Sequence, residues 1–220
     1  MIINQNFNLI NAKYKLTNLE LKFILDAISQ LDSKNDKVLQ EYEIKISEFK
    51  KMIREGQHTK LKQFAKHLMN KSILIEQDNG DFEVFNWFSK IRYVNNEVKF
   101  LVRFEESLKP YLLELKERFA SYNLKYILPL SSTYSIRIYQ LLKEYAKLKK
   151  KYFIVNDLQD ILQVPKSYKN YAKFKQGILK VAERELKEHC DIYFTIEEEK
   201  TGRKVTRLIF SINKNISRKI

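Results

Sequence analysis

One order of elements occurs twice along this chain: helix, strand, helix, helix, hairpin, with the second copy displaced by about 110 residues. In the first copy, residues 19–31 read as a helix, because Leu21, Leu25 and Ile28 fall on one face with Ile24 and Leu31 beside them. Tyr42, Ile44 and Ile46 then alternate with charged residues, as in a short half-buried strand. Ser47 is suited to cap a helix running to Arg54, Gly56 breaks it, and Thr59 caps a further helix to Asn70. Two hairpins follow, residues 72–77 with 82–88 around Asn79-Gly80, and 90–94 with 98–104 around Asn95-Asn96.

In the second copy, Tyr134, Ile138, Leu141, Tyr145 and Leu148 recur at helical steps over residues 131–148, and residues 152–155 form a strand. Asn156 starts a helix with Gln159 three residues on, the spacing of a capping box, and Pro165 ends it. Residues 167–189 make a longer helix, and 191–197 and 204–212 flank a turn at Thr201-Gly202. Tyr42-Glu43-Ile44 falls opposite Tyr152-Phe153-Ile154. The pattern predicts an α+β fold of two tandem winged-helix domains, each a helix-turn-helix with a β-hairpin wing, over residues 1–120 and 121–220. The first domain carries an extra hairpin, and residues 108–125 read as a largely helical connector with Pro110 near its start.

Charge sets the class of partner. The formal net charge is +14 for 220 residues, which points to a polyanion, nucleic acid first. Residues 1–120 hold 20 Lys and Arg against 17 Asp and Glu, and residues 121–220 hold 21 against 10, so the second domain carries most of the field. The single cysteine, Cys190, permits no intramolecular disulfide and suits a reducing cytoplasm. No apolar run approaches the ~18 residues of a membrane span, and the N-terminus has no signal-peptide pattern. A cytoplasmic protein without membrane contact is expected.

Within residues 167–189, Tyr171, Phe174, Ile178, Val181 and Ala182 cluster on one side. Lys169, Lys173, Gln176, Lys180, Arg184 and Lys187 lie roughly opposite, Lys166 continues the line, and Asn170 joins the expected contacts. A helix with one face buried and a row of long cations on the other suits the DNA major groove. Lys175 lies off that row, and Gly177 weakens the helix by about 1 kcal/mol against Ala. Between Thr59 and Asn70, Leu61, Phe64, Ala65 and Leu68 face inward while Lys62, Gln63 and Lys66 face out, where Gln can read adenine and Lys guanine or phosphate. The basic tip with Arg203 and Lys204 reads as a wing on phosphates, and the run Lys147–Lys151 is as well explained by a helix C-terminus as by DNA.

Catalytic patterns are missing. The three histidines, His58, His67 and His189, are scattered, and no glycine-rich phosphate loop is present. Cys190 reads as packing, and Glu197-Glu198-Glu199 as a solvated strand end. No catalytic residue, cofactor or metal is expected, and the chain reads as a DNA-binding protein rather than an enzyme. A rolling-circle nicking enzyme would need a positioned tyrosine and a metal-binding His pair, which nothing here supplies.

The stretches FASYNLKYILPLSSTYSIRIYQLLKEY (residues 119–145) and LQDILQVPKSYKNYAKFKQGIL (158–179) resemble the iteron-binding plasmid replication initiators, as do Leu16-Thr17 and the helix over 21–28. The resemblance covers nearly the whole chain. It implies a monomer that binds directly repeated double-stranded sites at a plasmid origin, with the C-terminal domain on one half of each repeat and the N-terminal domain on the other. Melting of AT-rich DNA and recruitment of the host initiator and helicase follow in that family. A dimer joined through the N-terminal domain binds an inverted repeat and represses its own gene. A dimeric winged-helix transcriptional repressor without an initiation role would share every DNA-binding feature, and differs in its DNA: a single palindrome instead of tandem repeats.

Overall fold

The computed structural model describes residues 1–46, 58–77, 79–113, 115 and 119–215. The helix expected between Ser47 and Arg54, and its break at Gly56, lie outside them. The first domain runs β1 (Ile2–Asn6), α1 (Phe7–Asn11), α2 (Asn18–Ile28), β2 (Glu41–Lys45), α3 (His58–Met69), β3 (Ser72–Glu76), β4 (Phe82–Asn86), β5 (Phe88–Val94) and β6 (Lys99–Phe104). A capping box starts α2: the Thr17 hydroxyl accepts from the Glu20 amide, and the Glu20 carboxylate accepts from the Thr17 amide at 2.7 Å. Beyond the cap α2 is buried nearly all round, from Leu21 to Ile28. β2, β6 and β5 form one antiparallel sheet in that order, and β3 with β4 a separate hairpin. Thr59 lies within helix α3 (His58–Met69) and is not its cap.

Residues 108–125 are not the largely helical connector that local propensity suggests. Among their described residues are a short helix, α4 (Lys109–Leu112), a strand, β7 (Phe119–Asn123), and the start of a 3-10 turn, Leu124–Tyr126. β7 pairs antiparallel with β1, from Ile2 opposite Asn123 to Asn6 opposite Phe119. Ala120 and Tyr122 alternate inward at 3% exposure each, and β1 supplies the edge that makes this alternation worth forming.

The chain continues through α5 (Thr133–Glu144) to β8 (Lys150–Ile154), α6 (Val155–Ile161), α7 (Tyr171–Phe174), α8 (Lys180–His189), β9 (Ile192–Thr201) and β10 (Lys204–Lys214), with sheet order β8-β10-β9. Ser132 caps α5, its hydroxyl accepting from the Ser135 amide. α6 starts one residue before Asn156 and has no side-chain cap. Gln159 makes no capping box; its buried amide donates to the carbonyls of Tyr168 and Lys169 at 3.0 and 3.4 Å. No described helix is long and apolar enough to cross a membrane.

Helix α5 ties the two halves together. Arg137, 2% exposed, donates to the Ala12 carbonyl at 2.8 Å and to the Tyr14 hydroxyl, with its guanidinium 4.0 Å from the centre of the Tyr14 ring. One turn on, Gln140 donates to Gln5 at 2.9 Å and to Tyr122 at 2.6 Å. Burial raises the pKa of the Tyr14 phenol, which stays neutral and free to share its proton. Replacing Arg137 with Met would strand two buried partners at roughly 1–3 kcal/mol each, so urea denaturation should report a loss of about 2–6 kcal/mol; an unchanged midpoint would show that neither bond contributes.

Candidate nucleic-acid interface

The rod spanning residues 171–189 begins later than its sequence suggests. Pro165, with φ −65° and ψ 160°, leads into a 3-10 turn, Lys166–Lys169. Asn170 stays extended, and its side chain accepts from the Lys173 amide at 3.2 Å, capping α7. Lys166 and Lys169 therefore lie on the preceding turn and not on the helix itself. Between α7 and α8 the backbone makes a π turn, Lys175–Leu179. The fully buried positions Phe174, Ile178, Ala182 and Leu186 step by four. In a straight α-helix that spacing drifts about 40° per step, and the wider π repeat takes up part of the drift.

All seven expected contacts on this turn and rod are exposed: Lys166, Lys169, Asn170, Lys173, Gln176, Lys180 and Arg184. Lys180 is held by Glu183 at 2.7 Å. Among the described residues, Lys166, Lys169, Lys173, Arg184 and Lys187 make no ion pair, so open cations stand toward both ends of the rod while Lys175 and Lys180 between them are matched. The turn is held from two sides, by Gln159 beneath it and by Tyr168 on Gly177. A Cβ on Gly177 would clash with the edge of the Tyr168 ring, 2.4 Å from its Cε1. That explains the glycine, which sequence reasoning could score only as a cost.

Arg203 and Lys204 are exposed at the β9–β10 tip, where Gly202 takes φ 60°. The acidic run is not the solvated strand end expected, because β9 continues to Thr201. Glu198 accepts from the Tyr171 hydroxyl at 2.7 Å and pairs with Lys175 at 2.6 Å, while Glu199 pairs with Arg207 at 3.2 Å. The Lys175 side-chain bond, with that of Tyr171, holds the Glu198 carboxyl below its usual range. The phenol of Tyr171 is pushed up by burial and by its bond to that carboxylate. In the lysine run, Lys150 and Lys151 belong to β8, and Lys151 sits 4.1 Å from the Tyr145 ring centre. Cys190 is fully buried, its thiol 3.5 Å from the Tyr126 carbonyl.

In the first domain Lys62, Gln63 and Lys66 are all exposed along α3. Leu61 and Leu68 are buried, and Phe64 packs edge-on to Phe23 at 5.2 Å. His67 bonds Glu20 at 2.7 Å, anchoring α3 to α2. Each domain has a cleft between its exposed helix and its wing. In the second it is about 320 Å³ and crossed by Tyr171, Lys175 and Glu198. In the first it is about 730 Å³, with Leu61, Met69, Ile91, Tyr93 and Phe100 as an apolar floor.

The family model of the initiator replication protein WH1 domain matches residues 2–143, and that of the initiator Rep protein WH2 domain matches residues 154–212. Among solved structures, the Pi initiator protein in complex with iteron DNA is similar at 23% identity, with 96% of each chain covered and a TM-score of 0.70; this likeness establishes the fold of two winged helices. The WH1 domain of a replication protein isolated from a multiple sclerosis patient matches 46% of this chain and 84% of its own, at 20% identity and a TM-score of 0.32. Domains 2 and 3 of RctB match 89% of this chain and 81% of their own, at 11% identity and a TM-score of 0.47. No curated protein matches the chain.

Gly177→Ala is expected to reverse the ordinary helix rule. Alanine normally stabilises a helix interior by about 1 kcal/mol over glycine, but here it must displace Tyr168, at about 1–3 kcal/mol for an overpacked site. Thermal unfolding should show a lower midpoint; a higher one would mean that Tyr168 moves away at no cost.

Proposed function

The chain belongs to the family of initiator replication proteins, and from that membership we propose that it initiates plasmid replication by binding directly repeated double-stranded sites, iterons, at an origin. The observation that carries this reading is the exposed cationic face of residues 166–184, backed by a buried apolar side, in a chain whose fold follows that of an initiator solved on iteron DNA. The turn and rod of the second domain enter one major groove, with Lys166, Lys169, Asn170, Lys173 and Gln176 nearest the bases and Lys180 and Arg184 on phosphates. Arg203 and Lys204 follow the backbone from the wing. Helix α3 offers Lys62, Gln63 and Lys66 to the other half of the repeat, and the lower charge of the first domain suits a weaker contact. Two major-groove contacts one turn apart fit repeats of roughly 20 bp.

Binding would promote melting of neighbouring AT-rich DNA and recruitment of the host initiator and helicase. A dimer formed through the first domain would repress the chain's own gene. The protein works by binding, without catalysis, metal or cofactor, in the bacterial cytoplasm. Support for these finer steps comes from the family resemblance.

Footprinting on the DNA beside its own gene tests the reading. Tandem protected repeats next to an AT-rich tract are expected, whereas a single palindrome would favour repression alone. With six to ten phosphate contacts, log K should fall with log salt at a slope of about −5 to −9. Lys173→Glu with Lys180→Glu should cost at least about a hundredfold in affinity, with circular dichroism unchanged; retained affinity removes this helix as the reader. Lys62→Glu with Lys66→Glu should weaken binding less and alter one half of each footprint, and an intact footprint would remove α3 from the interface.

A further inference from the structure

The wing of the second domain projects farther than its sheet supports. β8 pairs with β10 only from Lys150 opposite Ser211 to Ile154 opposite Arg207. β9 and β10 run on together to Thr201 opposite Lys204, and their register shifts between Val205 and Arg207. Past the row formed by Glu199, Arg207 and Ile154, the tip is a two-stranded ribbon. Such ribbons twist strongly and have little stability of their own. The sheet alone therefore does not set where Arg203 and Lys204 point.

Glu198 stands one residue before that last three-stranded row, opposite the fully buried Leu208. Its carboxylate takes the Tyr171 hydroxyl at 2.7 Å and the Lys175 ammonium at 2.6 Å. Those donors come from the first residue of α7 and the first residue of the π turn. One acidic side chain at the root of the ribbon thus grips the reading helix at two points. We propose that Glu198 is a positioning residue, which fixes the angle between helix and wing so that both meet the duplex as one rigid unit.

Electrostatics alone argues the other way. A carboxylate facing a polyanion repels it, and a partly exposed ion pair adds little stability. If Glu198 only neutralised Lys175, its removal would strengthen binding to DNA. If it orients the wing, removal must weaken binding despite the loss of a negative charge. In the first domain the corresponding cleft is lined by apolar residues, Tyr93, Asn70 and two lysines, with no acid among the described lining residues.

The inference rests on the DNA-binding reading above, and its test separates the two. The probe is a duplex carrying one repeat taken from the wild-type footprint. Glu198→Ala should bind at least about fivefold more weakly, with a salt slope shallower by up to about 1.8 as the two tip cations leave their phosphates. Hydroxyl-radical protection of the backbone beside the helix footprint should be lost, while the melting midpoint stays close to wild type. Glu198→Gln should recover most of the affinity, because its amide oxygen still accepts from Tyr171 and Lys175. Should Glu198→Ala fail to fold, Tyr171→Phe provides the second variant, with a smaller loss in the same direction expected. Unchanged or tighter binding by Glu198→Ala, or by Tyr171→Phe in its place, overturns the positioning role. A wild-type chain that protects no repeat removes the functional reading, and the clamp with it.

Discussion

Burial of Phe174, Ile178, Ala182 and Leu186 decides which way the rest of their rod faces. The rod packs on α5 and on β9. Each large aliphatic or aromatic side chain so buried contributes about 1.5–3 kcal/mol, whereas an exposed ion pair contributes about 0–1 kcal/mol. No rearrangement of surface charge competes with that difference, so the lysines go where the apolar side leaves them. Glu185 then sets the rod's position along its axis: its buried carboxylate accepts from the amides of Ser131 and Ser132, at 3.2 and 3.3 Å, at the start of α5. Burial would raise the pKa of Glu185, but the bond from the Ser131 hydroxyl, together with those from the two amides, outweighs it and holds the carboxyl below its usual range.

Helix α5 serves both domains. Its outer end holds Asp191 through Tyr139 and Lys143, just before β9. Its middle holds the N-terminal segment through Arg137 and Gln140. A buried guanidinium is costly unless its donors are used, and among the described residues no carboxylate pairs with Arg137. The Tyr14 ring and hydroxyl with the Ala12 carbonyl take that place. This polar junction is more demanding in geometry than an apolar one, because each partner must lie within hydrogen-bond reach. The relative placement of α3 and the second-domain rod passes through it.

The helices and their outward faces were legible in the sequence, because period and burial are local properties of each segment. Lys62, Gln63 and Lys66 on α3, and Lys173, Gln176, Lys180 and Arg184 on the rod, lie exposed as their spacing predicts. What was not legible depends on distant partners. β7 reads as connector until β1, more than a hundred residues earlier, offers it an edge. Gln159 has the spacing of a capping residue, yet the carbonyls of Tyr168 and Lys169 claim it. Gly177 reads as a defect until the Tyr168 ring is seen against it. The acidic run reads as solvated because no local rule brings Tyr171 and Lys175 to Glu198.

The formal charge of the second half also overstates what it offers to DNA. Lys175, Lys180, Lys143 and Arg207 are each matched by an acid within the fold. The exposed cations without an acid partner among the described residues include Lys166, Lys169 and Lys173 where the rod begins, Arg184 and Lys187 toward its far end, and Lys200, Arg203 and Lys204 at the wing tip. Internal pairing thus thins the excess of lysine, and the open cations along the rod and those at the wing tip form patches on either side of a cleft. Mutual orientation of the patches then matters as much as their number, because phosphates along a backbone lie at fixed spacing and a displaced cation gains only the weak attraction of screened solvent.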